Sequence, residues 1–247
     1  MTDETPSMTD ETPSMSDETP SMSDENRDTD ENSEDRRISV DRSIEPVAPD
    51  EFGLVQVWWG NGKGKTTAAI GMGVRAAGHG YRVHAVQFMK GGTYTVEDVR
   101  GELNALSHVP GFTVEHTGHY GWHGFGARSD DEDHDAQAEA GFERARELVE
   151  TAGDADLSAP ILLDEPPEAG VHMLILDEIL YAVHRDLVDE AALLDLVESK
   201  PSDLELVLTG GHREPTFLTD HVDLVTEVRK HKHPIEAGQP ARKGTEY

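Results

Sequence analysis

Trp58-Trp59-Gly60-Asn61-Gly62-Lys63-Gly64-Lys65-Thr66-Thr67 follows the apolar run Leu54-Val55-Gln56-Val57 and precedes Ala68-Ala69-Ile70. The order reads as strand, tight glycine loop, helix. Gly-Lys-Thr at such a junction is the core of a P-loop: backbone N–H groups cradle phosphates, the lysine adds positive charge, and the threonine hydroxyl reaches a magnesium ion. The helix N-terminus favours the same anion through its orphan donors and its dipole. The usual spacing puts the first glycine five residues before Gly64, where Trp59 stands, so Gly60 comes one residue late. The competing reading is a glycine-rich turn that caps an ordinary helix.

Composition narrows what surrounds this loop. The chain has 247 residues, no cysteine and a formal charge of −29. That length suits one α/β domain with extra segments, and disulfides are excluded. So acidic a surface argues against non-specific nucleic-acid binding, which needs basic groups to neutralise phosphates, and against an anionic membrane surface. Neither a run of about 18 apolar residues nor a basic-then-apolar leader is present, so the expected location is the cytoplasm. A strongly negative surface stays folded most readily where salt screens its self-repulsion, which suggests a halophilic source.

Residues 1–50 carry a seven-residue repeat, MTDETPS twice, MSDETPS once, then a broken MSDEN. Proline in each full copy and the lack of paired apolar positions exclude a coiled coil. With 16 acidic and 4 basic side chains this segment holds −12 of the total charge, leaving −17 for the rest, and it buries too little apolar surface to offset its ordering entropy. A disordered acidic tail over 1–50 is expected, with the folded domain at 51–247.

Beyond the P-loop, helices are predicted over 65–77, 96–106, 136–151, 179–188 and 190–199, and strands over 82–88, 112–116, 171–178, 204–209 and 222–228. Strand–helix–strand order implies a doubly wound, mainly parallel α/β sheet of the P-loop NTPase, RecA-like type, its strands ending on one edge. The loop from Met89 to Thr93 falls beside the phosphate site. Residues 117–135 interleave glycines with His119, Tyr120, Trp122, His123 and Phe125, a long aromatic loop of the kind that binds or covers ligands. Residues 153–170 read as an insertion. Val171 to Glu178 (VHMLILDE) is the expected Walker B strand, whose Asp177 and Glu178 would face Thr66 and the magnesium.

P-loop and acidic strand together specify a magnesium-bound nucleoside triphosphate and leave its fate open. Glu178 could position water or a base for phosphoryl transfer. Alternatively, displacement at the ribose carbon would expel the whole triphosphate, with Lys63 and Lys65 stabilising it electrostatically. A nucleotide-gated carrier is the non-enzymatic option.

GNGKGKTTAA, VQFMKG, the TG-x-x-x-W loop, the LDE strand, the TG turn after the next strand and the ending DLVTEVRKHKHPIEAGQPARKGTEY together resemble the P-loop type ATP:cob(I)alamin, or corrinoid, adenosyltransferases. The family shares the late first glycine. The resemblance implies attack by Co(I) of a reduced corrinoid on the 5′ carbon of ATP, with triphosphate released in adenosylcobalamin biosynthesis or salvage. It further implies that Gly60, Asn61, Gly62, Lys63, Gly64, Lys65, Thr66 and Thr67 bind the triphosphate, Lys65 neutralises it, and Thr66 with Glu178 holds magnesium, assisted by Asp177. Trp122, with His119 or Tyr120, would pack on the corrin. A flavoprotein or other reductase would supply Co(I), and a homodimer is implied.

Two departures stand out. The aromatic loop, Thr117-Gly118-His119-Tyr120-Gly121-Trp122, is one residue longer than the family form, and Thr209-Gly210 is followed by Gly211-His212-Arg213, which places Arg213 late for the family's arginine. The pairs His119/His123 and His231/His233 lack a third ligand at metal-site spacing and read as loop and surface histidines. His84 alternates with apolar residues and reads as packed.

Overall fold

The computed structural model describes residues 43–88, 101–117, 131–240 and 242–245, and side chains from residue 136 onward in the helix that starts at 131. Six strands form one parallel sheet: β1 (Val55–Trp59), β2 (Val83–Phe88), β3 (Phe112–Thr117), β4 (Met173–Asp177), β5 (Glu205–Thr209) and β6 (Leu224–Glu227), ordered β3-β2-β4-β5-β1-β6. The helices are α1 (Lys65–Gly78), α2 (Gly101–Leu106), α3 (Asp131–Asp154), α4 (Ile179–His184) and α5 (Glu190–Ser199).

Strand periodicity splits the core in two. Val55, Val57, Val86, Phe88, Leu174, Leu176, Leu206 and Leu208 pack with α3, α4 and α5 on one face. Val83, Ala85, Met173, Ile175 and Val207 pack with Ala69, Ala76 and Ala77 of α1 on the other. Both faces are covered, as the near-continuous apolar runs of the strands require. The expected doubly wound parallel α/β fold is therefore the observed one.

Several boundaries differ from the sequence reading. Residues 43–50, placed in the tail, run past the α1–β2 turn, where Val47 N–H donates to Gly80 O at 3.0 Å. Helix α3 begins five residues before the predicted 136, in an acidic stretch that suits a helix N-terminus. Helix α4 stops at His184 rather than 188, because Asp186 takes a left-handed φ of 58°. The segment read as an insertion is stapled to the sheet: the fully buried Arg82 donates Nη1 to Leu163 O at 3.0 Å and Nη2 to Glu165 O. The tail repeats, the 89–93 loop and the first turns of the helix predicted from 96 lie outside the described residues.

Candidate nucleotide site

β1 ends at Trp59 and α1 begins at Lys65, so the loop between them stands at the C-terminal edge of the sheet. Its neighbours in the sheet, β5 and β6, hold it from both sides. Gly60 N–H donates to Gly211 O at 3.1 Å and Gly62 N–H to Val228 O at 2.7 Å, and Val228 N–H returns a bond to Trp59 O at 2.7 Å. Asn61 Oδ1 accepts from Lys230 N–H at 2.8 Å. Gly60 has φ 118°, and a Cβ there would lie 2.4 Å from Val228 O. That close approach to the chain after β6 requires glycine at 60.

Lys65 is buried, and its ammonium donates to Gly60 O at 2.7 Å and Gly62 O at 3.1 Å. It thus curls over the loop it would share with a phosphate, whereas Lys63 is exposed. The first intrahelical bond runs from Ala68 N–H to Gly64 O at 2.8 Å. The preceding N–H groups of α1, from Lys65, Thr66 and Thr67, have no acceptor within the helix, and Gly64 turns the chain at φ 110°. This is the arrangement that binds anions at a helix N-terminus.

The carboxylate side of the site comes from strand phase. Residues 83, 85 and 87 of β2, 173, 175 and 177 of β4, and 207 and 209 of β5 share the α1-facing side, so Gln87, Asp177 and Thr209 end three adjacent rows beneath the N-terminus of α1. Asp177 is fully buried. Its Oδ1 accepts from Thr66 Oγ1 at 2.9 Å and Thr209 Oγ1 at 2.6 Å, and its Oδ2 from Gln87 Nε2 at 3.0 Å. Thr66 and Asp177, which the sequence placed face to face, are in contact.

Glu178 departs from the strand. It adopts φ 67°, ψ 14°, a left-handed conformation that costs a non-glycine residue about 1–2 kcal/mol. Thr209 Oγ1 accepts its N–H at 3.0 Å, and its carbonyl accepts from Tyr181 and Ala182 to start α4. Gly210 leaves room for it: a Cβ there would lie 3.0 Å from Glu178 Oε2. The Thr-Gly turn after β5 is thus a seat for Glu178, and that turn's positive φ, 116°, excludes larger residues.

An oxygen-only donor set of hydroxyl and carboxylate, Thr66 Oγ1 with Asp177, fits a hard cation such as magnesium. Groups of three or more His, Cys, Asp or Glu suited to a metal are absent among the described residues. His119, Tyr120 and Trp122 lie outside the described residues. Sequence reasoning missed Gln87 and Thr209 as site residues; the available signal was a polar residue ending each apolar strand in phase with Asp177.

The family model described as ATP:corrinoid adenosyltransferase BtuR/CobO/CobP matches residues 51–247. A corrinoid adenosyltransferase of Pseudomonas aeruginosa is 33% identical over 218 residues, 88% of this chain and 94% of that one. One from Escherichia coli is 31% identical over 225 residues, covering 89% and 100%. Corrinoid adenosyltransferase CobA of Salmonella typhimurium is 34% identical over 203 residues, covering 81% and 88%. With matches of this extent along both partners, the chain belongs to the ATP:corrinoid adenosyltransferase family.

Proposed function

We propose that this protein transfers the 5′-deoxyadenosyl group of ATP to the Co(I) of a reduced corrinoid. The family match over residues 51–247 carries the reading. Co(I) supplies the electron pair of the new cobalt–carbon bond, and the pair of the breaking carbon–oxygen bond leaves on triphosphate. So strong a nucleophile needs no general base, and the protein's task is to hold ATP and stabilise the leaving group. Gly60 to Thr67 and the N-terminus of α1 bind the triphosphate, with Lys65 as the buried cation and Lys63 as an exposed one. Thr66, Asp177 and Glu178 hold magnesium, which adds charge neutralisation at the phosphates. Trp122, with His119 or Tyr120, meets the corrin.

A flavoprotein or other reductase delivers Co(I), and the reaction takes place in the cytoplasm, where ATP is available. No helix among the described residues is long and apolar enough to cross a membrane. The chain works as a homodimer; edge strand β6, whose Leu224 and Val225 remain about two-fifths exposed, is where a second copy would find apolar surface.

The test is incubation with ATP, magnesium and chemically reduced cobalamin. Triphosphate in step with a new cobalt–carbon absorbance is expected, and Lys65→Ala should lower the rate by about a hundredfold or more. Inorganic phosphate without alkylated corrinoid would instead identify a hydrolase, and tight corrinoid binding without turnover a carrier.

A further inference from the structure

Gln87 is fully buried at the end of the α1-facing row of β2, in register with Asp177 of β4. Its Nε2 donates to Asp177 Oδ2 at 3.0 Å. A carboxylate has no hydrogen to give, so only the NH2 half of the amide can face Asp177, and the orientation of Gln87 is fixed. Its Oε1 is then turned away from that oxygen, buried and without a hydrogen-bond partner among the described residues. An unpaired buried carbonyl is costly, and native proteins rarely keep one without a use. The other oxygen of Asp177 bonds Thr66 of the P-loop at 2.9 Å, so the unused acceptor stands one carboxylate away from the nucleotide.

We propose that Gln87 is an outer ligand of the hydrated cation that accompanies the triphosphate: Nε2 anchors Asp177, and Oε1 accepts a hydrogen bond from a water bound to that cation. The proposal rests on the magnesium–ATP reading above. Magnesium keeps several waters when one or two carboxylates and phosphates hold it, and those waters are strong donors in need of acceptors. The donor that Oε1 lacks among the described residues is, on this reading, a water that enters with the cation. Gln87 is on this account a positioning residue, acting through Asp177 and the cation's water.

Two roles for Gln87 differ in the effect of one substitution. Gln87→Glu opposes Asp177 in either role, whereas Gln87→Lys keeps a donor for Asp177 and has no acceptor. If Gln87 only donates, the lysine variant keeps the wild-type magnesium dependence; if it also accepts from cation-bound water, the lysine variant loses it as Gln87→Met does. The experiment is calorimetric titration of ATP into the full-length protein at graded magnesium concentrations and in EDTA. For Gln87→Met, the magnesium concentration at half-saturation should rise about tenfold or more, as for other outer-shell losses, while affinity in EDTA changes less than about twofold. Gln87→Lys should show a rise of similar size. An unchanged magnesium dependence in Gln87→Met, an equal loss with and without magnesium, or a lysine variant with the wild-type magnesium dependence overturns the assignment. Should Gln87→Met not fold, Gln87→Asn withdraws the amide by one methylene and carries the same expectation. Wild-type binding that ignores magnesium would overturn the magnesium reading itself, a result distinct from a failure confined to Gln87.

Discussion

His84 shows how far one side chain can be read. Its alternation with apolar residues predicts packing, and it is indeed buried in β2, with Nδ1 2.8 Å from Thr113 Oγ1 and Nε2 3.5 Å from Glu115 Oε1. Burial drives its pKa down to about 4; Glu115 and Glu168 pull it up, and Arg144 and Arg82 push it further down. The folded histidine therefore stays neutral across a range in which the unfolded one, with an ordinary pKa of 6.5, takes up a proton. Between those values the unfolded chain binds more protons, so stability falls as pH falls. Arg144, bidentate to Glu115 at 2.8 and 2.9 Å, holds that carboxyl below its usual range, so its contribution is lost only in stronger acid. Denaturant unfolding should lose about 2 kcal/mol between about pH 7 and about pH 5, and His84→Gln should flatten the slope. A parallel slope in the variant would assign the loss to other groups. The burial was legible in the sequence; the Glu115–Arg144 partnership was not, since it joins strand β3 to helix α3 across 29 residues.

At the scale of elements, α1 lies so close to the sheet that two of its glycines carry opposite expectations. A Cβ on Gly73 would meet Phe112 Cε2 at 2.4 Å and Ile175 Cδ1 at 3.0 Å, whereas one on exposed Gly71 would meet nothing within 4 Å. Gly71→Ala should stabilise by about 0.5–1 kcal/mol through helix propensity. Gly73→Ala should destabilise by about 1–3 kcal/mol through overpacking, the propensity gain notwithstanding. Denaturation midpoints of the two variants decide this, and stabilisation by both would mean that α1 sits farther from β3 and β4. Strands, helix α1 and the parallel sheet were readable because period-2 and period-3.6 apolar patterns are local. The sheet order was not, and with it the meeting of Gln87, Asp177 and Thr209: it arises from strands drawn together over about a hundred residues, and no single stretch contains it. The helix ends at 131 and 184 were misjudged because a polar, acidic stretch of sequence and a left-handed Asp186 leave weak marks in the apolar pattern.

For the whole molecule, charge outweighs every local feature. A formal charge of −29, of which −17 lies in residues 51–247, repels itself until ions screen it. Thermal midpoints should climb by roughly 4–8 °C between about 0.1 M and about 2 M potassium chloride, the size of shift that about 2 kcal/mol produces in a domain of this length. A midpoint that is flat or falling with salt would remove the halophilic reading. Fold class and nucleotide chemistry were legible at this scale because P-loop, acidic strand and C-terminal string occur together. The grip of the C-terminal segment on the P-loop was not, since it is made of backbone bonds that no side-chain pattern announces. That grip sets an order of assembly. Gly62 and Asn61 wait for partners at Val228 and Lys230, 169 residues later in the case of Asn61. On a growing chain the first strand and its loop emerge early, yet the loop acquires its shape only when the last strand has docked beside it. Competence to bind ATP therefore reports that nearly the whole domain has been made and folded.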